Sequence, residues 1–377
     1  MNFRRTSAMA RKELLHIIRD PRSLMAALTQ PVMVLLLFGY ALSLDVDRIP
    51  TMIYDADRSA VSQNLVQEFR GSRYFQIVDE VDSYKPIERA MDQRRILVGV
   101  AIPYDYSRNL LAGKEAPVQI LLDGADSNTA SIAQGYAEGL VQTYARHARE
   151  DAQSMRAGSV LQPPVDASVR VWYNPDLLSR NFIVPGLIGV ITMIIAALLT
   201  SLTIAREWEN GTMEQLLSTP VRPIEMALGK LSAHFLLGLT DMLIALFVGV
   251  VIFKVPLKGS PVLLLFSACV FLYGALAWGL YISAMFRNQL AAYQMGTLTS
   301  FLPAFLLSGF IYPLANMPWI IRVISVIIPA RYFIDMTKGI FLKGTGLQLL
   351  WFDLLLLIVY AVGISFLAVR KLRQKIA

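Results

Sequence analysis

Residues 24–44 read LMAALTQPVMVLLLFGYALSL and contain no charged side chain. About 20 consecutive apolar residues cross the hydrocarbon part of a bilayer as a helix, so this stretch predicts a transmembrane span. The whole chain of 377 residues agrees, because 55% of its residues are hydrophobic and 17% are charged. Soluble chains carry about 25% charged residues. The composition therefore predicts a membrane protein.

Similar apolar stretches recur along the chain and divide it into segments. The predicted spans are 24–44, 181–204, 231–253, 261–285, 294–312 and 347–369. The segments around them are the N-terminus 1–23, the polar stretch 45–180, the loops 205–230 and 313–346, and the tail 370–377. The expected fold is an α-helical polytopic membrane protein with six transmembrane helices plus an inserted extracytoplasmic α/β domain.

The basic residues predict the orientation of these spans. Most short flanks rich in Lys and Arg lie on the side of both termini, and such flanks stay in the cytoplasm. We therefore expect a multi-pass protein of the bacterial inner membrane with both termini cytoplasmic and 45–180 outside. Because the net charge of +7 is concentrated at span ends, it does not predict nucleic-acid binding. The small residues at 41–43 resemble a signal-peptide cleavage site, but the preceding basic region and apolar run are too long.

The N-terminus has the pattern of an amphipathic helix at 8–20. Leu14, Ile17 and Ile18 fall on one face, and Lys12, His16 and Arg19 on another. This spacing favours a helix lying in the inner membrane interface. The alternative, a simple positively charged topology anchor, explains the charges but not the spacing.

The polar stretch 45–180 alternates strand-like and helix-like segments, which is typical of a compact α/β domain with one mixed sheet. Strands are predicted at 50–54, 74–80, 96–102, 117–123 and 168–173, and helices at 58–70, 83–94, 104–112 and 127–157. The acidic DGADSNTAS at 123–131 fits either a cation loop or, as we favour, a turn followed by a helix N-cap. The single Cys269 excludes a disulfide within the chain, and three scattered His residues predict no metal site.

The loop between the second and third spans contains REWENGTMEQLLSTP at 206–220. Thr212 and Gln215 fit a capping box, and Met213, Leu216 and Leu217 form one apolar face, so a two-turn helix is predicted. So short a helix is marginal alone and needs a surface to lie on. The acids around it disfavour lipid headgroups, which leaves a groove on another protein or, alternatively, the chain's own membrane domain.

This loop closely resembles the corresponding loop of ABC-2 type permeases, the membrane subunits of ATP-driven exporters. Three further stretches share the resemblance: NPD...SRNFIVPG at 174–186, SAMFRNQLAAYQ at 283–294 and LSGFIYPLANMPWIIRVISVIIPARYF at 307–333. The order of parts resembles the drug and ion efflux branch with a large periplasmic domain. The resemblance implies export of drugs, other hydrophobic compounds or ions. It makes the loop a coupling helix in contact with a cytoplasmic ATPase subunit, through Arg206, Glu207, Glu209, Gly211, Thr212, Met213, Glu214, Leu216 and Leu217.

The resemblance also implies partners: a second permease copy or a similar paralogue, and in some such exporters a periplasmic adaptor. The chain itself is not expected to hydrolyse ATP. Its Gly-Lys pairs, Gly113-Lys114 and Gly229-Lys230, lack the upstream Gly and the following Ser or Thr of a P-loop. We expect no cofactor on this chain, with ATP and Mg bound by the partner ATPase.

Segment 313–346 contains an apolar run too short to span, which predicts a re-entrant or interfacial segment. The resemblance places the outer gate here and names Phe310, Tyr312, Pro313, Trp319, Arg331 and Tyr332. The alternative is a belt of aromatic residues at the outer interface.

Three other functions compete with ATP-driven export. An ion-coupled secondary transporter needs ionisable groups within its spans, and Asp241, with His234 on the same helical face, is the candidate. Asp241 is otherwise interpreted as a contact across a permease dimer or a conduit residue. A receptor would need a cytoplasmic signalling domain, for which the short loop and tail leave no room. An intramembrane hydrolase would need a nucleophile and base that the spans lack.

Overall fold

The computed structural model describes residues 2–41, 48–125, 127–157, 173 and 178–376. The chain forms two compact units. The membrane unit comprises Met1–Ser43 and Val171–Ala377, and the sheet unit comprises Leu44–Arg170.

The helices and strands follow the chain in an order close to the predicted one. They are α1 (Phe3–Arg19), α2 (Pro21–Ala41), β1 (Ile49–Asp55), α3 (Ala60–Gly71), β2 (Phe75–Val81), α4 (Lys85–Asp92), β3 (Val98–Ile102), α5 (Tyr106–Leu111), β4 (Gln119–Leu122), α6 (Ser127–Ala157), α7 (Ser179–Ser201), α8 (Thr203–Glu209), α9 (Thr212–Leu217), α10 (Pro223–Phe247), α11 (Pro261–Met285), α12 (Gln289–Leu306), α13 (Trp319–Ser325), α14 (Pro329–Lys338) and α15 (Leu347–Ile376).

Among the described residues, four helical runs are long and apolar enough to cross a membrane. They are Ser179–Glu209, Pro223–Ile252, Pro261–Met285 and Leu347–Gln374, and they match four predicted spans. The first predicted span coincides with α2, whose apolar part, Ala27–Ala41, is shorter than these runs. The fifth was predicted at 294–312, but α12 ends at Leu306. Residues beyond Leu306 form bends that include Gly309 at φ +80°, a conformation that interrupts a helix.

Helix α7 lies at the centre of the membrane unit, and most of its side chains are buried. Close packing depends on small residues where helices cross. A Cβ at Gly279 of α11 would lie 2.2 Å from the backbone oxygen of Ala197 on α7. Beside this crossing, Thr200 Oγ1 donates a hydrogen bond to the backbone oxygen of Leu276 at 2.7 Å. Side-chain hydrogen bonds of this kind join helices that have no hydrophobic driving force between them in lipid.

The sheet unit contains a four-stranded sheet in the order β2-β1-β3-β4. Strand β1 pairs parallel with β2 and β3, and β4 pairs antiparallel with β3, so the sheet is mixed as predicted. Successive residues of β1 point to opposite faces. Ile53 packs in a core with Leu65 and Phe69 of α3, whereas Met52 packs with Ile87 of α4. Helices therefore cover both faces.

Four of the five predicted strands and all four predicted helices of this segment are confirmed, with small boundary shifts. The fifth strand, at 168–173, lies outside the described residues except for Tyr173. The predicted turn before α6 includes Asp126, which is also outside them, and α6 begins at Ser127 as predicted.

Candidate functional site

The loop between α7 and α10 has a helix–turn–helix form. Helix α8 continues the direction of the chain from α7, and α9 begins at Thr212. The predicted capping box is wrong, because Gly211 and not Thr212 occupies the N-cap, and no side chain caps α9. Gly211 has φ +70°, a left-handed conformation that glycine adopts without a steric penalty. The glycine therefore makes the sharp turn between the two helices.

The apolar face of α9 packs on its own membrane unit. Met213 is 0% exposed and belongs to the core, and Leu216 packs against that core. The prediction that this apolar face lies in a groove on another protein is therefore wrong, and the alternative, the chain's own membrane domain, is what holds it. The short helix is stabilised from within the chain, and Glu214 and Gln215 of the same helix are exposed.

Glu207 lies at the centre of an ionic cluster that also contains Lys12, Glu13 and Lys230. Its Oε1 accepts a hydrogen bond from Lys12 Nζ at 2.9 Å and lies 3.0 Å from Lys230 Nζ. Lys230 Nζ also donates to Glu13 Oε1 at 2.8 Å. Glu207 is only 7% exposed, so it faces its own chain and not a partner. The cluster ties α8 to α1 and α10.

The charges of this cluster support one another. Burial raises the pKa of Glu13, but the ammonium groups of Lys230 and Lys12 outweigh that effect and hold its pKa below the ordinary value. For Lys12, burial lowers the pKa, but the carboxylates of Glu207 and Glu13 outweigh that effect and raise its pKa above the ordinary value. Both groups are therefore charged at neutral pH, and each ammonium has a carboxylate partner.

Glu209 connects the loop to a third helix. Its Oε2 accepts a hydrogen bond from the backbone N–H of Gln289 at 2.8 Å, at the first residue of α12. A carboxylate is favoured there by the positive end of the helix dipole. Arg206 Nε donates to Gln289 Oε1 at 3.3 Å. Two residues predicted for coupling thus contact the start of α12.

Ser283 of α11 stabilises the break between α7 and α8. Its Oγ accepts hydrogen bonds from the backbone N–H groups of Ile204 at 2.9 Å and Ala205 at 3.0 Å. These N–H groups belong to the first turn of α8. Backbone N–H groups in the first turn of a helix have no carbonyl acceptor within that helix. The loop is consequently held by α1, α10, α11 and α12.

The predicted N-terminal helix is present as α1, but it starts earlier than predicted, at Phe3. Part of its polar face packs against the rest of the protein. The backbone N–H of Asn2 donates to Glu225 Oε1 at 2.6 Å, and Arg5 donates to the backbone oxygen of Pro220. Met9 is buried against Gly229, where a Cβ would lie 2.6 Å from the Met9 Cβ. Anchoring to α10, more than amphipathicity alone, positions α1.

Sequence reasoning missed three members of the cluster, namely Lys12, Glu13 and Lys230, as functional residues. Two signals were available. Glu13 is an acid within a basic N-terminal segment, and Lys230 stands at the start of an otherwise apolar run. Charged residues inside membrane helices are costly unless they are paired, so Lys230 was expected to have an acidic partner. The periodicity of the sequence does not identify which acid that partner is.

The predicted outer-gate residues divide into buried and exposed groups. Phe310 is buried beneath Gly186, where an added Cβ would lie 2.4 Å from its ring. Tyr332 is buried and donates to the backbone oxygen of Val326 at 2.6 Å. Arg331 Nη1 donates to Ser325 Oγ at 2.7 Å, which fixes the turn between α13 and α14.

The other predicted gate residues do not pack with the buried Phe310 and Tyr332. Tyr312 and Trp319 are exposed, Trp319 by 74%, which is what an aromatic belt would show. Pro313 precedes a short 3₁₀ turn, Leu314–Asn316. Sequence reasoning missed Lys338, whose Nζ lies 3.6 Å from the ring centroid of Phe182 and 3.3 Å from the backbone oxygen of Gly309. Burial lowers the pKa of Lys338 to about 8, although Asp335 partly opposes the effect.

Asp241 is 4% exposed, and neither carboxylate oxygen has a hydrogen-bond partner among the described residues. It lines a small cavity with Pro31 of α2, Thr192 of α7 and Leu272 of α11. Because the carboxylate is already buried within its own chain, its burial does not favour the interpretation of Asp241 as a contact across a dimer. His234 is bound elsewhere, with Nδ1 2.9 Å from the backbone oxygen of Lys230.

Comparison with known proteins agrees with this architecture. Residues 23–370 match the family described as "ABC-2 family transporter protein". The chain is 37% identical to the "Probable multidrug ABC transporter permease YbhS" of Escherichia coli (strain K12), over 98% of both chains. It is 34% identical to YbhR, a protein of the same description and strain, over 99% of this chain and 100% of YbhR. The "Inner membrane transport permease YhhJ" of that strain is 26% identical over 94% of this chain. A full-length match at this identity places the chain in the ABC-2 family of transporter proteins.

Proposed function

We propose that this chain is the membrane-spanning permease subunit of an ATP-driven exporter. It moves drugs, other hydrophobic compounds or ions outward across the inner membrane, with both termini in the cytoplasm and the sheet unit outside. A separate ATPase subunit binds ATP and Mg and contacts the loop that contains α8 and α9. A second permease copy, or a similar paralogue, completes the pathway, and a periplasmic adaptor is a further partner of the sheet unit.

One observation carries the coupling part of this proposal. Oε1 of Glu207, in the loop, contacts the ammonium groups of both Lys12 on α1 and Lys230 on α10. Lys230 is 1% exposed, and breaking a buried ion pair is costly because it leaves an uncompensated charge. A force applied to α9 is therefore transmitted to α1 and α10 instead of being lost in a flexible loop.

The residues of this loop that can contact the ATPase are those with exposed side chains. Glu214 is exposed on α9, whereas Glu207 is buried and Glu209 binds the start of α12. Charge reversal at Glu207 or Glu209 would damage the permease itself. Glu214→Arg is consequently the informative variant, because it changes the surface of α9 without removing a contact within the chain.

The test is a mild-detergent pull-down of the chain from its native membranes, with mass spectrometry of the proteins that co-purify. We expect an ATPase with Walker motifs to accompany the native chain and to be reduced about tenfold or more with Glu214→Arg, since like charges across an interface are costly. Glu88→Arg, an exposed acid of α4, is the matched control and should retain the ATPase. Equal recovery with both variants would contradict the assignment of α9.

Ion-coupled transport is the second candidate, because Asp241 is buried in a span and its carboxylate has no hydrogen-bond partner among the described residues. Ionisable groups of this kind mark ion pathways in membrane proteins. Asp241→Asn keeps the shape and removes the charge. Transport in proteoliposomes that depends on an ion gradient, needs no ATPase and is abolished by Asp241→Asn would replace the ATP-driven proposal.

A further inference from the structure

Lys338 connects three segments that meet around Phe310. It is the last residue of α14, and its Nζ lies 3.6 Å from the ring centroid of Phe182, in the first turn of α7. The same ammonium group donates a hydrogen bond at 3.3 Å to the backbone oxygen of Gly309, in the bend at 307–312. Phe310 is the next residue along the chain and is 2% exposed. One side chain therefore connects the bend to both α7 and α14.

The position of Phe310 depends on the bend. Helix α12 ends at Leu306, and Gly309 has φ +80°, which lies outside the helical range. The Phe310 ring packs so closely on α7 that a Cβ added at Gly186 would lie 2.4 Å from it. The ring fills this space only while the backbone of the bend keeps its present course. A contact that holds the carbonyl group of Gly309 consequently also holds the ring.

The strength of both contacts depends on the charge of Lys338. A cation is attracted to an aromatic face, and a charged donor makes a stronger hydrogen bond than a neutral one. Burial lowers the pKa of Lys338 to about 8, although the carboxylate of Asp335 partly opposes this effect. Among the described residues, Asp335 is the ionisable group that acts on this amine, since Phe182 and Gly309 carry none. The charge is present at neutral pH and is lost in mildly alkaline solution, where both contacts weaken.

We infer that Lys338 is a positioning residue of the predicted outer gate, whose ammonium group holds the bend at 307–312 against α7 and so keeps Phe310 in place. The inference rests on the proposed export function only in taking Phe310 as the outer end of the pathway. Lys338→Arg and Lys338→Met separate the charge from the size of the side chain. Arginine remains charged and stacks on aromatic rings, whereas methionine keeps only an apolar chain.

Opening of the bend can be measured at Ser308, which is 0% exposed and directly precedes Gly309. In a protein that carries Cys269→Ala, which removes the single native thiol, Ser308→Cys introduces one reactive group with little change of shape. The full-length permease in lipid nanodiscs is treated with a membrane-impermeant maleimide, and the rate of labelling is followed by mass spectrometry. The measurement needs no ATP, ATPase or cargo, so its failure is distinct from a failure of the export proposal.

The three forms at position 338 are compared at each pH, so that the pH dependence of the thiol reaction itself cancels. We expect the native lysine and Lys338→Arg to give similar labelling rates at about pH 7. At about pH 9.5 the native form should be labelled about fivefold faster than Lys338→Arg, because the amine is then neutral and the guanidinium is still charged. Lys338→Met should exceed Lys338→Arg by a similar factor at both pH values.

Asp335→Asn tests the same inference without changing Lys338. The Asp335 carboxylate raises the pKa of Lys338, so its removal should shift the increase in labelling to lower pH. The inference would be overturned by a ratio of native to Lys338→Arg labelling that stays constant between about pH 7 and about pH 9.5. Labelling of folded Lys338→Met no faster than that of Lys338→Arg would overturn it as well. The pH comparison keeps the test decisive even if Lys338→Met does not fold.

Discussion

Lys230 Nζ and Glu13 Oε1 are 2.8 Å apart, although 217 residues separate them in the chain. The contact joins the N-terminal helix α1 to the beginning of α10, and Glu207 of the loop lies against the same ammonium group. A lysine at this depth is stable only because two carboxylates surround it. The N-terminal helix is therefore packed directly against the loop and is not a separate anchor.

The two lysines of the ionic cluster should differ in their effect on stability. Lys230→Met leaves Glu13 and Glu207 with one ammonium partner, so we expect a loss of about 3–5 kcal/mol. Lys12 has a side chain that is 49% exposed, and Lys12→Met should cost no more than about 1 kcal/mol because water screens that pair. Thermal unfolding of the detergent-solubilised variants measures the difference. Equal losses would mean that burial does not set the strength of these pairs.

The stability of the protein should fall in acid partly because of Glu13. Its folded-state pKa lies below the ordinary value of 4.5, so the ionised form contributes stability above that pH. This contribution is lost as the pH falls from about 4.5 through the lower folded-state pKa. Glu13→Gln removes the titrating group. Its melting temperature should be lower at neutral pH and should change less below pH 4.5 than that of the native protein, and parallel pH profiles would contradict the prediction.

Gly229 should be required for the close approach of α1 to α10. In Gly229→Ala the new Cβ would lie 2.6 Å from the Met9 Cβ and 3.1 Å from the backbone oxygen of Thr6. We expect a loss of about 1–3 kcal/mol from overpacking, together with faster proteolysis at the arginines of α1. The control is Gly363→Ala on α15, where an added Cβ meets nothing within 4 Å. If both variants resist protease equally, α1 is not held by this contact.

The gate prediction can be tested at Gly186. In Gly186→Ala the new Cβ would lie 2.4 Å from Phe310 Cδ2, so the ring must move. If Phe310 closes the outer end of the pathway, this variant should leak solute from proteoliposomes in the absence of ATP, and Gly363→Ala should not. A Gly186→Ala protein that folds and remains tight would place the gate at another residue.

Ser283 should stabilise the start of α8 through its hydroxyl group. Ser283→Ala leaves the backbone N–H groups of Ile204 and Ala205 buried without their acceptor, which costs about 1–3 kcal/mol. Ser283→Thr retains an acceptor and is the matched comparison. Hydrogen exchange of those two amides, followed by mass spectrometry, should accelerate in Ser283→Ala alone. Unchanged exchange would show that Ser283 does not protect them.

The elements themselves were largely predictable, since each depends on residues close together in the chain. Apolar stretches of spanning length predicted α7, α10, α11 and α15, and alternation of strand and helix patterns predicted β1–β4 and α3–α6. The end of α12 was misplaced, because the apolar pattern continues past Leu306 although the backbone bends at Gly309. Hydropathy measures composition and does not detect such a bend.

The candidate site was predictable only in outline. The motif at 206–220 identified the loop, but it did not reveal that Met213 is buried in the chain's own core or that Glu209 binds the start of α12. Both outcomes depend on which helices neighbour the loop. Periodicity within α9 describes a face and leaves its partner undetermined.

By itself, the sequence determined that the chain crosses a membrane, where its helices and strands form, and which loop resembles a coupling loop. Local periodicity, hydropathy and charge are sufficient for those conclusions. Only the tertiary structure decided that Lys12, Glu13, Glu207 and Lys230 share one cluster. The physical reason is that these side chains lie on three helices distant in sequence, α1, α8 and α10, and only the packing of those helices brings their charges within hydrogen-bonding distance.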